Sequence, residues 1–165
     1  VGVITTAIKA GIAGKEIISG AVASMTQLND VASQVAVSVG ATGATDVTGF
    51  GLLGHLGKMT LTSNVDAVLD VGNIAFLPGA KLYAEDGVIP GGTRRNLAWV
   101  EHQIDAGSYG ETDLLLLADA QTSGGLIFGV EKTKSDEVCA ELNEGGVPAM
   151  VVGETHAGKG TIRLR

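Results

Sequence analysis

Residues 40–51 read GATGATDVTGFG, and an apolar pattern of helical spacing follows over Leu52–Thr62. Glycine has no Cβ, and the start of a helix carries partial positive charge, so an anionic oxygen can approach the backbone N–H groups of this segment. Its single charge, Asp46, would repel a phosphate unless a hard cation such as Mg²⁺ lies between the two. The alternative interpretation is that Asp46 and Thr48 only cap the following helix.

On both sides of this segment, helical and strand patterns are mixed without strict alternation. The patterns predict helices at Lys15–Met25, Asn29–Val39, Leu52–Thr62, from Pro78 to Asp86, for one turn at Leu114–Ala118, and at Lys134–Asn143. They predict strands at Val1–Ile8, Val65–Val71 and Leu126–Val130, and a closing strand pair at Ala149–Glu154 and Gly160–Leu164. The sequence therefore predicts an α/β (α+β) sandwich, in which one mixed sheet is covered by helices.

Two further polar segments interrupt the apolar chain. Gly91–Asn96 reads GGTRRN, which predicts a polar loop. Its two arginines either clamp an anion, lie in a solvated turn or pair with Glu101. Asp119–Gly125 reads DAQTSGG and precedes a predicted strand. It either presents N–H and hydroxyl donors to a ligand or forms a tight turn that closes the sheet.

Composition narrows the class of protein. The chain has 165 residues, which suits one domain, and 45% of them are hydrophobic, which excludes disorder. A net charge of −7 argues against a nucleic-acid surface, and no apolar run is long enough to span a membrane. The single cysteine excludes an internal disulfide, as is typical of a reducing cytosol. Because the chain lacks a starting methionine and opens within a predicted strand, we expect a fragment of a longer protein.

The remaining candidate residues point to structure rather than chemistry. His55, His102 and His156 are not paired at the spacing of metal ligands, so they are expected to be structural or solvated. Cys139 lies in an amphipathic helical pattern and is expected to be a buried, inert thiol. Trp99 is expected to be a packing residue. The chain therefore has no complete catalytic set of its own.

Taken together, the polar segments resemble the selenophosphate synthetase (selenide, water dikinase) family. The segments that carry the resemblance are Ile4–Ala7, Ala44–Leu56, Gly91–Thr93 with Asn96, and Asp119–Leu126, which occur in the order of the family. The resemblance covers the C-terminal half of that enzyme. It implies that residues 1–165 are one C-terminal domain of the aminoimidazole ribonucleotide synthetase superfamily, and that the N-terminal ATP-binding domain lies outside this chain.

The resemblance also implies roles for individual residues. Asp46 matches a metal-binding aspartate, which favours Mg²⁺ binding over helix capping. The resemblance implies cofactor-binding roles for six further residues: Thr45, Thr48, Gly49, Thr122, Ser123 and Gly124. Ala120 stands where the family usually has proline, which is expected to loosen the turn without changing the chemistry.

The implied reaction converts ATP, selenide and water into selenophosphate, AMP and phosphate, in a cytoplasmic homodimer. The isolated chain is expected to be inactive, with no catalytic residue of its own. Two alternatives stay open from the sequence. In the first alternative, the chain belongs to another superfamily member, such as aminoimidazole ribonucleotide synthetase or the hydrogenase-maturation homologue. In the second, it is a non-catalytic module that only folds, dimerises or binds a ligand.

Overall fold

The computed structural model describes residues 1–165, which form eight α-helices and six β-strands. The helices are α1 (Gly2–Lys9), α2 (Lys15–Thr26), α3 (Asp30–Ser38), α4 (Gly51–Ser63), α5 (Ala80–Glu85), α6 (Gly91–Val100), α7 (Glu111–Leu117) and α8 (Ser135–Glu144). The strands are β1 (Gly43–Asp46), β2 (Val65–Leu69), β3 (Ile104–Asp105), β4 (Leu126–Gly129), β5 (Gly153–Ala157) and β6 (Ile162–Leu164). None of the helices has the length and apolar character needed to span a membrane.

The main sheet has the strand order β3-β6-β2-β5 and is mixed, as the sequence predicts. Strand β6 runs parallel to both β2 and β3, whereas β5 runs antiparallel to β2. The alternating residues Ala67 and Leu69 of β2 and Ile162 and Leu164 of β6 are buried. They pack in one core with side chains from α4, α6 and α7, among them Leu53, Leu56, Leu97, Val100 and Leu117. Helices therefore cover this sheet, which confirms the predicted fold class.

A second, two-stranded sheet joins β1 to β4 in antiparallel register, with Gly43 opposite Gly129 and Asp46 opposite Leu126. The sequence predicts β4 but treats residues 40–51 as one loop, because a pairing between segments about 80 residues apart leaves no local pattern. Near this sheet, α3 and α8 bury a small cluster of Ala32, Val138 and Leu142.

The first segment of the chain was expected to be a strand and is helix α1. Its β-branched residues favour a strand locally, but Val3, Ile4 and Ala7 follow helical spacing and are fully buried in a common cluster. The hydroxyls of Thr5 and Thr6 donate to the carbonyl of Gly2, which satisfies these polar groups within the helix. Burial of one helical face therefore outweighs local β-propensity.

The segment Gly91–Asn96 was expected to be a loop and forms the first turns of α6 instead. Pro90 occupies the N-cap position, and Thr93, Leu97 and Val100 are buried at helical spacing. The two glycines at the start disguise this spacing, because glycine disfavours helix interiors.

The two closing strands were expected to pair with each other. Instead, they lie on opposite sides of β2. The carboxylate of Asp66 in β2 accepts the backbone N–H groups of Lys159, Gly160 and Thr161, at 2.9, 3.0 and 2.8 Å. These bonds fix the turn between β5 and β6, so that β6 can return on the far side of β2.

Candidate functional site

The pairing of β1 with β4 places two of the predicted polar segments side by side. The chain leaves β1 into residues 47–50, and it enters β4 from residues 121–125, at the same end of the small sheet. The amide of Val47 donates to the carbonyl of Gly125 at 2.9 Å, and the amide of Gln121 donates to the carbonyl of Thr48 at 3.0 Å. The structure therefore brings together two segments that the sequence analysis treated separately.

Close backbone contact fixes the loop before β4. A Cβ on Gly124 would lie 2.1 Å from the carbonyl oxygen of Val47, so no larger residue fits without displacing the backbone. Ser123 adopts a left-handed conformation, with φ of 48°. The side-chain amide of Asn29, which occupies the predicted N-cap position of α3, donates to the carbonyl of Gly124 at 2.8 Å instead of capping the helix. The loop before β4 is therefore held by Asn29 on one side and by its close contact with the Val47 backbone on the other.

The loop after β1 is fixed by a histidine. The Nε2 atom of His55 lies 3.0 Å from the amide nitrogen of Thr48 and 3.1 Å from its hydroxyl oxygen. The His55 ring also meets the ring of Phe50 edge to face, with centroids 5.8 Å apart. His55 belongs to α4, whereas Thr48 lies in the loop before that helix. No sequence pattern signals their contact, because it forms only when the loop folds back onto the helix. The expectation that His55 is structural rather than a metal ligand agrees with these contacts.

The Gly91–Asn96 segment contributes the side chain of Asn96 to the site. Its side-chain amide donates to the carbonyl of Gly49 at 2.8 Å and to that of Ala118 at 3.1 Å, which ties α6 to both loops. Arg94 forms an exposed ion pair with Glu111 at 3.3 Å. Its partner is therefore not Glu101, which the sequence analysis considered.

Asp46 ends β1 and does not cap α4. The helix begins at Gly51 with Phe50 in the N-cap position, and no side chain caps it, so the capping interpretation of Asp46 and Thr48 is wrong. The Asp46 side chain is exposed, and its carboxylate has no hydrogen bond or ion pair. Successive strand residues point to opposite faces, so Thr45 and Asp46 project from opposite faces of β1. No group of three or more His, Cys, Asp or Glu side chains is gathered as a metal site.

The loop 119–125 begins at a buried carboxylate that the sequence analysis did not single out. Asp119 is 3% exposed, and its carboxylate accepts the Thr93 hydroxyl at 2.7 Å and the Val3 amide at 3.0 Å. The Gln121 side chain donates to the Asp119 carbonyl at 2.8 Å. Asp119 therefore anchors the loop to α1 and α6. By contrast, Thr122 and Ser123 are exposed at the tip of the loop.

The other candidate residues lie outside these loops or at their edge. Burial raises the pKa of the half-buried Cys139 thiol, and the charge of Asp136 adds to this shift, as suits an unreactive thiol. Trp99 is not a core residue, because half of its side chain is exposed, and its ring lies against Phe50 at a centroid distance of 5.8 Å. His102 and His156 are exposed.

Comparison with known proteins agrees with this architecture. Residues 2–165 match the family described as AIR synthase related protein, C-terminal domain. The chain is 40% identical to a selenide, water dikinase of Carboxydothermus hydrogenoformans over 166 residues, which is 100% of this chain and 48% of that protein. It is 41% identical to a selenide, water dikinase of Myxococcus xanthus, over 96% of this chain and 46% of that protein. A selenide, water dikinase of Haemophilus influenzae is 40% identical over 93% of this chain and 44% of its own length.

The chain thus spans about half the length of the curated relatives that it matches. The match to the family model extends over both loops of the site as well as the main sheet. These findings confirm the resemblance drawn from the sequence motifs. The chain belongs to the family of the C-terminal domain of AIR synthase related proteins.

Proposed function

We propose that this chain is the C-terminal domain of a selenide, water dikinase and forms one wall of its ATP and Mg²⁺ site. The observation that carries the proposal is the exposed, unpaired carboxylate of Asp46, which lies at the end of β1 beside two loops that are fixed by hydrogen bonds. The relatives that match the chain support the choice of this enzyme among the members of the superfamily.

The chemistry of Asp46 fits a magnesium ligand. Mg²⁺ prefers hard oxygen ligands and usually takes only one or two carboxylates, with water and phosphate oxygens at its other positions. An exposed carboxylate without a hydrogen-bond or ion-pair partner can take part in such a set without breaking an existing contact. When bound, Mg²⁺ neutralises phosphate charge during phosphoryl transfer. Since only one carboxylate is available here, we propose that a further domain of the complete protein supplies the others.

The remaining loop residues offer hydrogen-bonding groups to a nucleotide. We propose that the Gly49 amide, which lies before α4 and has no backbone acceptor, donates to a phosphate oxygen. Thr122 and Ser123 contribute exposed hydroxyls, and Gly124 lets the two loops approach closely. Thr45 and Thr48, which flank Asp46, complete the set of residues that we propose around the nucleotide and its metal ion.

For the complete protein we propose the reaction of ATP, selenide and water to selenophosphate, AMP and phosphate. The family resemblance also supports a homodimer. The family resemblance supports a cytoplasmic location as well, and the single cysteine of this chain, which allows no disulfide within it, agrees with that proposal.

The decisive test replaces Asp46 by asparagine in the complete protein. Asp46→Asn keeps the size of the side chain and removes the charge that the cation needs. We expect selenide-dependent AMP formation to fall by orders of magnitude while the melting temperature stays within about 2 °C, because an exposed side chain without partners contributes little to stability.

Asp86→Asn is the matched control, because Asp86 is also an exposed aspartate but follows α5, outside both loops. It should keep near-normal activity. Normal AMP formation by Asp46→Asn, or a large loss of stability that accounts for its inactivity, would contradict the proposed function.

A further inference from the structure

The contact between His55 and Thr48 determines where the ring proton of the histidine lies. A backbone N–H is always a donor, so the Thr48 amide at 3.0 Å requires Nε2 of His55 to accept. A ring nitrogen that accepts a hydrogen bond carries no proton, which places the ring proton on Nδ1. The edge-to-face contact with Phe50 holds the ring in this orientation.

This tautomer in turn fixes the role of the Thr48 hydroxyl. The hydroxyl oxygen lies 3.1 Å from the same Nε2 atom, which has no proton to donate. An unprotonated Nε2 can meet this hydroxyl only as an acceptor, so the hydroxyl donates to the lone pair that it shares with the amide in a three-centre hydrogen bond. The lone pairs of the hydroxyl oxygen remain for other partners. A group that offers lone pairs can accept from the water shell of a cation, whereas a phosphate oxygen needs a donor.

We propose that His55 is a positioning residue that turns the Thr48 hydroxyl into a hydrogen-bond acceptor, so that the Asp46–Thr48 segment receives a hydrated divalent cation and not a phosphate oxygen. This inference rests on the proposed function and deepens it, because it assigns the cation and the phosphate oxygens to different residues of the two loops. The cation lies toward Asp46 and Thr48, and the phosphate oxygens lie toward the amide of Gly49 and the hydroxyls of the other loop.

The first test measures the tautomer directly. Long-range ¹H–¹⁵N correlation spectra of the complete protein distinguish a protonated from an unprotonated ring nitrogen in each histidine. His55→Gln identifies the His55 signals by their disappearance. We expect Nδ1 of His55 to be protonated and Nε2 to be unprotonated. A proton on Nε2 would overturn the inference, whatever the activity of the enzyme.

The second test separates the cation from the phosphate in the complete protein, with Mn²⁺ and inorganic pyrophosphate as separate probes. Thr48→Val removes the hydroxyl at nearly constant shape, and we expect it to weaken Mn²⁺ binding by roughly threefold to tenfold, the range of one hydrogen bond. Pyrophosphate binding should stay unchanged. Thr48→Ser keeps the hydroxyl and should retain the Mn²⁺ affinity. A Thr48→Val variant that loses pyrophosphate affinity and keeps Mn²⁺ affinity would overturn the inference.

Two histidine variants test the positioning role. His55→Leu removes the acceptor, so the Thr48 amide should exchange faster with solvent and Mn²⁺ binding should weaken. His55→Gln places an amide oxygen where it can accept, and should restore both properties at least in part. Equal Mn²⁺ affinity in His55→Leu and the unmodified protein would contradict the positioning role. Normal Mn²⁺ binding by Asp46→Asn would instead overturn the proposed function, while the tautomer and the Thr48 variants still decide this inference.

Discussion

At the scale of single residues, the site depends on groups that touch backbone rather than on charged pairs. Asn29, His55 and Asn96 each hold a loop through one or two backbone atoms. Gly124 also lets its loop lie close to the other one, because the Val47 carbonyl occupies the space that the Cβ of any larger residue would need. Asp46 is thus exposed at the end of a strand whose following loop is held by hydrogen bonds, an arrangement that suits its proposed role as a metal ligand.

Gly124→Ala tests this close approach. The added Cβ would clash with backbone that cannot rotate away, so the loop must shift, and we expect a loss of about 1–3 kcal/mol in the free energy of unfolding, as for other overpacked sites. Denaturant unfolding measures this loss. Gly125→Ala is the control, because a Cβ there meets no atom within 4 Å and should change stability little. Equal stability of the two variants would show that the loops separate without cost.

At the scale of elements, the sequence predicted most helices and the mixed sheet, because helical and alternating patterns are local. It missed α1 and the whole of α6, where burial of Val3, Ile4 and Thr93 outweighs local propensity. It also missed β1, which exists because β4 pairs with it. In the candidate site, Asp46 and the loop 119–125 were predicted from residue type and stay predictions. The contacts of His55 and Asp119 depend on non-local folding and left no motif to recognise.

The turn between β5 and β6 gives a pH-dependent prediction. The backbone N–H groups of Thr161 and Lys159 donate to Asp66 and lower the pKa of its carboxyl below the usual 3.8. A carboxyl whose pKa is lower in the folded than in the unfolded state stabilises the fold above the unfolded pKa, and this contribution is lost as the pH falls through the folded pKa. Asp66→Asn should therefore lower the melting temperature near pH 7, and its difference from the unmodified protein should shrink below about pH 4.

Melting curves across this pH range provide the measurement. Asp86→Asn, outside the turn, should show no such convergence with the unmodified protein. A melting-temperature difference for Asp66→Asn that is constant from pH 7 to pH 3 would show that the charge of Asp66 does not stabilise the turn.

At the scale of the whole molecule, the chain is built from a helix-covered main sheet and a small sheet that carries the site. The main sheet and α1 lie in two large hydrophobic clusters, whereas the cluster between α3 and α8 is small. The domain thus presents the candidate site loops from its less deeply packed part, together with the single unpaired carboxylate of Asp46.

We expect the isolated chain to fold without turning over substrate. It gathers no group of three metal-binding side chains and supplies only Asp46 as a carboxylate in the site, so the proposed cation would lack its other protein ligands. AMP formation from ATP and selenide measures this, with the complete protein as the positive control. AMP formation by the 165-residue chain alone would show that the domain needs no further carboxylates.

The pairing of β1 with β4 also links the two loops of the site in time. Four residue pairs, from Gly43 with Gly129 to Asp46 with Leu126, join the strand before one loop to the strand after the other. If this ladder opens, each loop loses the strand that fixes one of its ends, so we expect the two loops to open and close together. We therefore expect the site to behave as one cooperative unit, in which partial damage to the small sheet lowers the fraction of competent molecules rather than the competence of each one.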